Sequence, residues 1–121
     1  MMGTRELGRF GEEEAAKYLR RHGYRIVETN YSCRFGEIDL IARGGRHLVF
    51  VEVKLRKNDE FAPAREFVTR AKQQRILAAA SLYLAQHETE LQPRFDVIEI
   101  YAPLGERGKL TINHIQDAFE T

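Results

Sequence analysis

Cysteine is almost absent from this chain of 121 residues. Cys33 stands alone, so no intramolecular disulfide can form and a reducing, cytoplasmic setting is expected. Proline is scarce, with three residues, and no linker, repeat or low-complexity stretch interrupts the sequence, which points to a single domain over residues 1–121. No apolar run approaches the ~18 residues of a membrane span. The opening MMGTRELGRFGEEE lacks the apolar core of a signal peptide, so no membrane partner is expected. Also missing are a P-loop, a GxGxxG turn and a serine in a nucleophile elbow. The histidines at 22, 47, 87 and 114 are scattered without metal-ligand spacing. Net charge is nearly absent as well, at +1 from 19 Lys+Arg and 18 Asp+Glu.

That near-neutrality is a cancellation. Residues 1–75 carry 16 basic and 11 acidic groups, a charge of +5, and residues 76–121 carry 3 and 7, a charge of −4. Such asymmetry hints at a polyanion-binding face, although chance clustering of solvated charges explains the count equally well. With 43% hydrophobic and 31% charged residues the chain has the composition of a globular protein, which excludes intrinsic disorder.

Periodicity predicts a helix over Leu7 to His22, with Ala15, Tyr18, Leu19 and His22 on one stripe and Gly23 as a left-handed cap. The β-branched and aromatic run Tyr24 to Tyr31 reads as a strand, as do Gly36 to Ala42 and His47 to Leu55, joined across Gly44-Gly45 by a hairpin turn. Residues 56–63 read as a loop. Thr69 to about His87 reads as a helix with Leu77, Ala80, Ser81 and Leu84 on its apolar face. Arg94 to Tyr101 is a further strand and Lys109 to Ile115 an edge strand. The order α-β-β-β-α-β(-β) implies an α/β fold with a mixed central sheet flanked by helices.

The hairpin places acids close together. A turn centred between Gly44 and Gly45 sets Glu37 opposite Glu52, with Asp39 diagonal to Glu52 at roughly 7–8 Å between backbones. Alternation then gathers Glu37, Asp39, Ile41, Leu48, Phe50, Glu52 and Lys54 on one face, and Ile38, Leu40, Ala42, Val49, Val51 and Val53 on the other. An even loop length preserves this parity. Opposed carboxylates are unfavourable unless they point into open water or a divalent cation balances them. The apolar neighbours on that face favour the cation. On the first helix Glu12 lies about 60° from Ala15 and can lean toward the sheet, whereas Glu13 faces water.

At Gly36-Glu37-Ile38-Asp39-Leu40-Ile41 and Phe50-Val51-Glu52-Val53-Lys54 the chain resembles the YraN family of bacterial proteins. That family is similar to archaeal Holliday-junction resolvases among the restriction-endonuclease-like nucleases. Gly11-Glu12, Ala15, Ala16, Tyr18, Leu19, Lys72, Gln73, Ala80, Tyr83, Leu84 and Phe95-Asp96-Val97-Ile98 extend the likeness over nearly the whole chain. The resemblance implies a restriction-endonuclease-like fold and a DNA nuclease in which Asp39, Glu52 and the backbone carbonyl of Val53 hold Mg²⁺ or Mn²⁺. It implies that Lys54 orients the attacking water, that Glu12 matches the acid on the resolvases' first helix, and that a homodimer cuts the two strands of a junction. The proline that often precedes the metal-binding Asp is replaced by Ile38.

Arg43, Arg46, Arg56 and Lys57, with Arg70, Lys72 and Arg75 at the start of the long helix, are expected around the site as phosphate contacts. Gln73 is expected near the apolar margin, where it can point at the active site. A metal-dependent nuclease acting on DNA, branched or junction DNA included, is the leading expectation. A non-catalytic nucleic-acid-binding module that keeps the nuclease fold is the alternative, and a protein-interaction role comes third.

Overall fold

The computed structural model describes residues 4–56, 68–102 and 108–119. Helix α1 runs Thr4–Arg21 and ends at Gly23, whose φ of +88° a residue with a side chain adopts only under strain. The Gly23 amide bonds to Arg20 and the Tyr24 amide to Leu19, the paired bonds of a Schellman cap. Strand β1 (Arg25–Cys33) follows, then β2 (Gly36–Gly44), β3 (His47–Arg56), helix α2 (Arg70–Gln86), β4 (Gln92–Tyr101) and β5 (Thr111–Ile115). Most of the expected loop over residues 56–63 falls outside the described residues.

The strands form one five-stranded sheet in the order β1-β2-β3-β4-β5. Neighbours are antiparallel except β3 and β4, which pair in parallel from His47↔Gln92 to Arg56↔Tyr101. A parallel pair needs a crossover connection, and α2 lies within it. This is a small α/β arrangement with a mixed sheet and two helices. Each sheet face buries its own layer. On one side Ala15, Ala16 and Leu19 of α1 pack on Leu40, Ala42, Val49, Val51, Ile98 and Ile100. On the other, Ile76, Ala79, Ala80 and Tyr83 of α2 pack on Ile41, Leu48, Phe50, Phe95 and Val97.

Three details depart from the sequence reading. The β2–β3 register pairs Gly44 with His47 and Leu40 with Val51, a slip of two residues, so the turn is Gly45-Arg46. Gly45 takes the positive φ (+57°) at the first turn position. Gly44 serves a different need: a Cβ there would meet the Tyr24 ring at 2.5 Å. A slip of two keeps the parity of the faces.

Next, Ile38 joins the α2 layer although Leu40 and Ala42 belong to the α1 layer. The strand turns over at Asp39, and β1 turns over beside it at Asn30, whose φ is +51°. Asparagine is among the few residues that tolerate this region.

Finally, the buried stripe of α2 is Ile76, Ala79, Ala80 and Tyr83, while Ser81 is exposed. The helix is rotated by about one residue from the expected face. Tyr83 drives this by packing edge-on to Tyr31 and Phe50.

Candidate metal and phosphate site

Where β2 turns over, its ladder with β3 stops at Leu40↔Val51. Asp39 fills the gap: its Oδ2 accepts the Val53 amide at 2.8 Å, a bond that would otherwise go to a neighbouring backbone carbonyl. One residue before Val53, Glu52 is only 6% exposed. Lys72, one turn before Ile76 on the inward side of α2, forms an ion pair with Glu52 Oε1, and Lys54 Nζ lies 3.7 Å from the same oxygen. Gly36, Glu37, Asp39, Glu52, Lys72, Arg75 and Ile76 line a cleft of about 200 Å³ here.

The electrostatics are those of crowded charges in a poorly solvated place. Burial and the Glu52 charge push the Asp39 carboxyl up to about 7, against the opposing pull of the Val53 amide, with Glu12 adding to the rise. Glu12 is itself raised by burial, while a hydrogen bond with Asn30 acts the other way. Burial and the adjacent Lys72 charge lower the Lys54 pKa. Burial works against the Lys72 charge too, but its bond to Glu52 prevails and holds its pKa above the usual value.

The sequence considered open water or a metal ion as relief for the carboxylates. The structure holds a third answer, the Lys72 ammonium. Lys72 was expected as a phosphate contact; the rotation of the helix stripe turns it inward onto Glu52.

The other expected site residues separate into groups. Glu12 is near enough for its charge to act on Asp39, from the α1 side. Arg75 lines the cleft, and Arg70 is exposed at the first residue of α2. Gln73 donates its side-chain amide to the Val68 carbonyl at 2.9 Å, closing its own helix start rather than reaching the cleft. Arg56 is taken up by the buried Glu99, with Nε to Oε2 at 2.7 Å, while Tyr101 holds the other Glu99 oxygen. Arg43 and Arg46 are exposed at the β2–β3 turn, about 13 and 20 Å along the strand from Glu52 at ~3.3 Å per residue, and neither lines the cleft. Lys57 lies outside the described residues.

Two features escaped the sequence reading. Asn30 bonds to Glu12 from a left-handed backbone, and its one sequence signal was an asparagine inside a strand-forming run. A second polar cluster surrounds the fully buried Asp96, whose segment the resemblance included without assigning it a role. Its carboxylate takes bonds from Arg94, His114 and the Asp117 amide, and Tyr18 and Tyr24 extend the cluster through His114 and Arg94.

A family model described as "Uncharacterised protein family UPF0102" matches residues 11–100, which contain every cleft residue named above. The chain belongs to the UPF0102 family. A UPF0102 protein of Symbiobacterium thermophilum is 48% identical over 117 residues, covering 96% of this chain and 98% of the relative. One from Caldicellulosiruptor bescii is 43% identical over 98% of this chain and all of its own length. One from Hahella chejuensis is 51% identical over 77% of this chain and 76% of its own. This UPF0102 chain has no helix, among its described residues, long and apolar enough to cross a membrane.

Among those residues no three His, Cys, Asp or Glu side chains gather into a ready-made metal cage. The donor set nonetheless suits magnesium, which is commonly held by one or two carboxylates with water and substrate phosphate completing its shell. Asp39 and Glu52 supply two hard oxygen donors facing a cleft, and the Val53 carbonyl is adjacent in the chain.

Proposed function

We propose that this UPF0102 chain is a metal-dependent nuclease of restriction-endonuclease-like fold that hydrolyses phosphodiester bonds in DNA, branched or junction DNA included. The observation that carries this reading is the meeting of Asp39, Glu52 and Lys72 at one small cleft, with Lys54 beside Glu52. Two acids held together against their own repulsion and two cations beside them suit a ligand that is a metal ion and a phosphate at once. Asp39, Glu52 and the Val53 carbonyl would hold Mg²⁺ or Mn²⁺. When bound, the ion supplies Lewis-acid polarisation of the phosphate and a more acidic water.

The remaining groups act on what is bound. Lys54 orients the attacking water and balances charge developing on the phosphate oxygens. Lys72, which pairs with Glu52, would offer its charge to the same phosphate, and Arg75 at the cleft wall would hold a neighbouring one. Asn30 fixes the Glu12 carboxyl on the α1 side of Asp39, where it adds acceptor capacity. A second reading, a nucleic-acid-binding module without turnover, draws on one observation: Lys72 already neutralises Glu52, so the fold can satisfy its acids without a metal.

The deciding experiment offers linear, single-stranded, flap and four-way-junction DNA with Mg²⁺ or Mn²⁺. Cleavage is expected, and Asp39→Asn or Glu52→Gln lowers it by about a hundred-fold or more. Tight, salt-sensitive binding with no cleavage in either metal would establish the second reading instead. Titration of Mn²⁺ into wild type and Asp39→Asn tests the ligand set without relying on turnover.

A further inference from the structure

The connection from β1 to β2 is two residues long, Arg34-Phe35, between the paired Cys33 and Gly36. Such turns normally carry glycine, asparagine or aspartate, which tolerate the positive φ angles of a tight hairpin. Here it carries a phenyl ring, 37% exposed and one of two large exposed hydrophobics among the described residues. The other, Val27, marks the register shift of β1, a bulge on an edge strand. A lone exposed apolar side chain is ordinary; its place is what matters here. The Arg34 guanidinium lies 4.8 Å from the Phe35 ring centroid, so a cation is stacked on the aromatic.

Phe35 directly precedes Gly36, which lines the cleft with Asp39, Glu52, Lys72 and Arg75. Gly36 has a φ of +144°, and a Cβ there would lie 3.6 Å from the Arg75 Cβ. The tip therefore leans against α2 beside the cleft. Phe35 is four residues from Asp39, about 13 Å along the strand. A strand whose phosphate occupies the cleft thus passes the ring within a few nucleotides.

We propose that Phe35, backed by Arg34, is a stacking platform for an unpaired nucleobase flanking the phosphate bound in the cleft. This deepens the nuclease reading and rests on it for the position of the phosphate. A base within a duplex is already stacked on both sides and cannot take the ring, so the preferred DNA has a single-stranded or splayed segment beside the cleft. Recognition of this kind is indifferent to sequence, since every base has a π-face.

The test uses a single-stranded oligonucleotide bearing 2-aminopurine, and a duplex of the same sequence, with Ca²⁺ in place of Mg²⁺. Wild type is expected to quench the 2-aminopurine of the single strand. Phe35→Ala removes the quenching and weakens single-strand binding by about ten-fold, with duplex binding unchanged, and Phe35→Trp restores both. Unaltered quenching and affinity in Phe35→Ala, an equal loss for single strand and duplex, or no binding of either oligonucleotide by wild type overturns the platform. Phe35-dependent quenching without cleavage in Mg²⁺ or Mn²⁺ sinks the nuclease reading and leaves the platform. Cleavage of single-stranded and flap DNA that is indifferent to Phe35→Ala does the reverse.

Discussion

Asp39 and Asp96 are both aspartates packed against the same sheet, and their surroundings move them in opposite directions. Burial and the Glu52 charge raise Asp39 to about 7. Burial also opposes the charge on Asp96, but bonds from His114, Arg94 and the Asp117 amide outweigh it and hold that carboxyl below its usual value. Between pH about 4 and 7 the metal-free folded chain keeps a proton on Asp39 that the unfolded chain has lost. The folded state then binds more protons, so stability falls as pH rises through that window. The Asp96 contribution has the opposite sign and is lost only as pH falls below about 4. Urea midpoints measured in EDTA from pH 4.5 to 7.5 should therefore decline for wild type and flatten in Asp39→Asn; a slope that survives the substitution would contradict this assignment. Asp39 and Glu52 could be read from the motif because a tight turn folds β2 back on β3 and brings them to the same end of one hairpin. The role of Lys72 could not, since it depends on which side of α2 meets the sheet.

The glycines of the hairpin and of α1 separate local from non-local demands at the level of elements. Gly45 answers to the backbone, through its positive φ. Gly44 answers to Tyr24, whose ring leaves no room for a Cβ and whose hydroxyl is held by Arg94 at 2.7 Å. Gly44→Ala should cost about 1–3 kcal/mol by overpacking. Gly8, in α1 with nothing within 4 Å of an added Cβ, should gain up to about 1 kcal/mol as alanine. Thermal or urea unfolding of the two variants checks both signs. From sequence, Gly44-Gly45 looked like a symmetric turn, because the contact that distinguishes the two glycines comes from a residue 20 positions away. The α2 stripe shifted for a similar reason. An alanine- and leucine-rich helix offers two adjacent faces of similar hydrophobicity, and the aromatic packing of Tyr83 selects one.

Across the whole molecule, the Asp96 cluster ties together α1 through Tyr18, the α1–β1 connection through Tyr24, β4 through Arg94 and β5 through His114. Every buried side-chain nitrogen and oxygen among the described residues has a hydrogen-bond partner. Removing one member of so closed a network leaves the others desolvated and unpaired. Asp96→Ala should destabilise the fold by about 3–5 kcal/mol, against which Gln74→Ala on the exposed side of α2 serves as a control. Equilibrium unfolding reads both, and a loss below about 1 kcal/mol for Asp96→Ala would mean the cluster is decorative.

The sequence by itself determined the elements and their order, the cap at Gly23, the alternation of faces along the β2–β3 ladder from Leu40 to Gly44 and the presence of two acids and a lysine on its motif. Each is set by near neighbours: helix and strand periods, turn chemistry, alternation across a pleat. Only the tertiary structure decided the two-residue register slip, the turning over of β2 at Asp39, the inward Lys72, the capture of Arg56 by Glu99 and the closure around Asp96. These rest on contacts between residues far apart in the chain. Packing and charge pairing choose there among options that local rules leave equal.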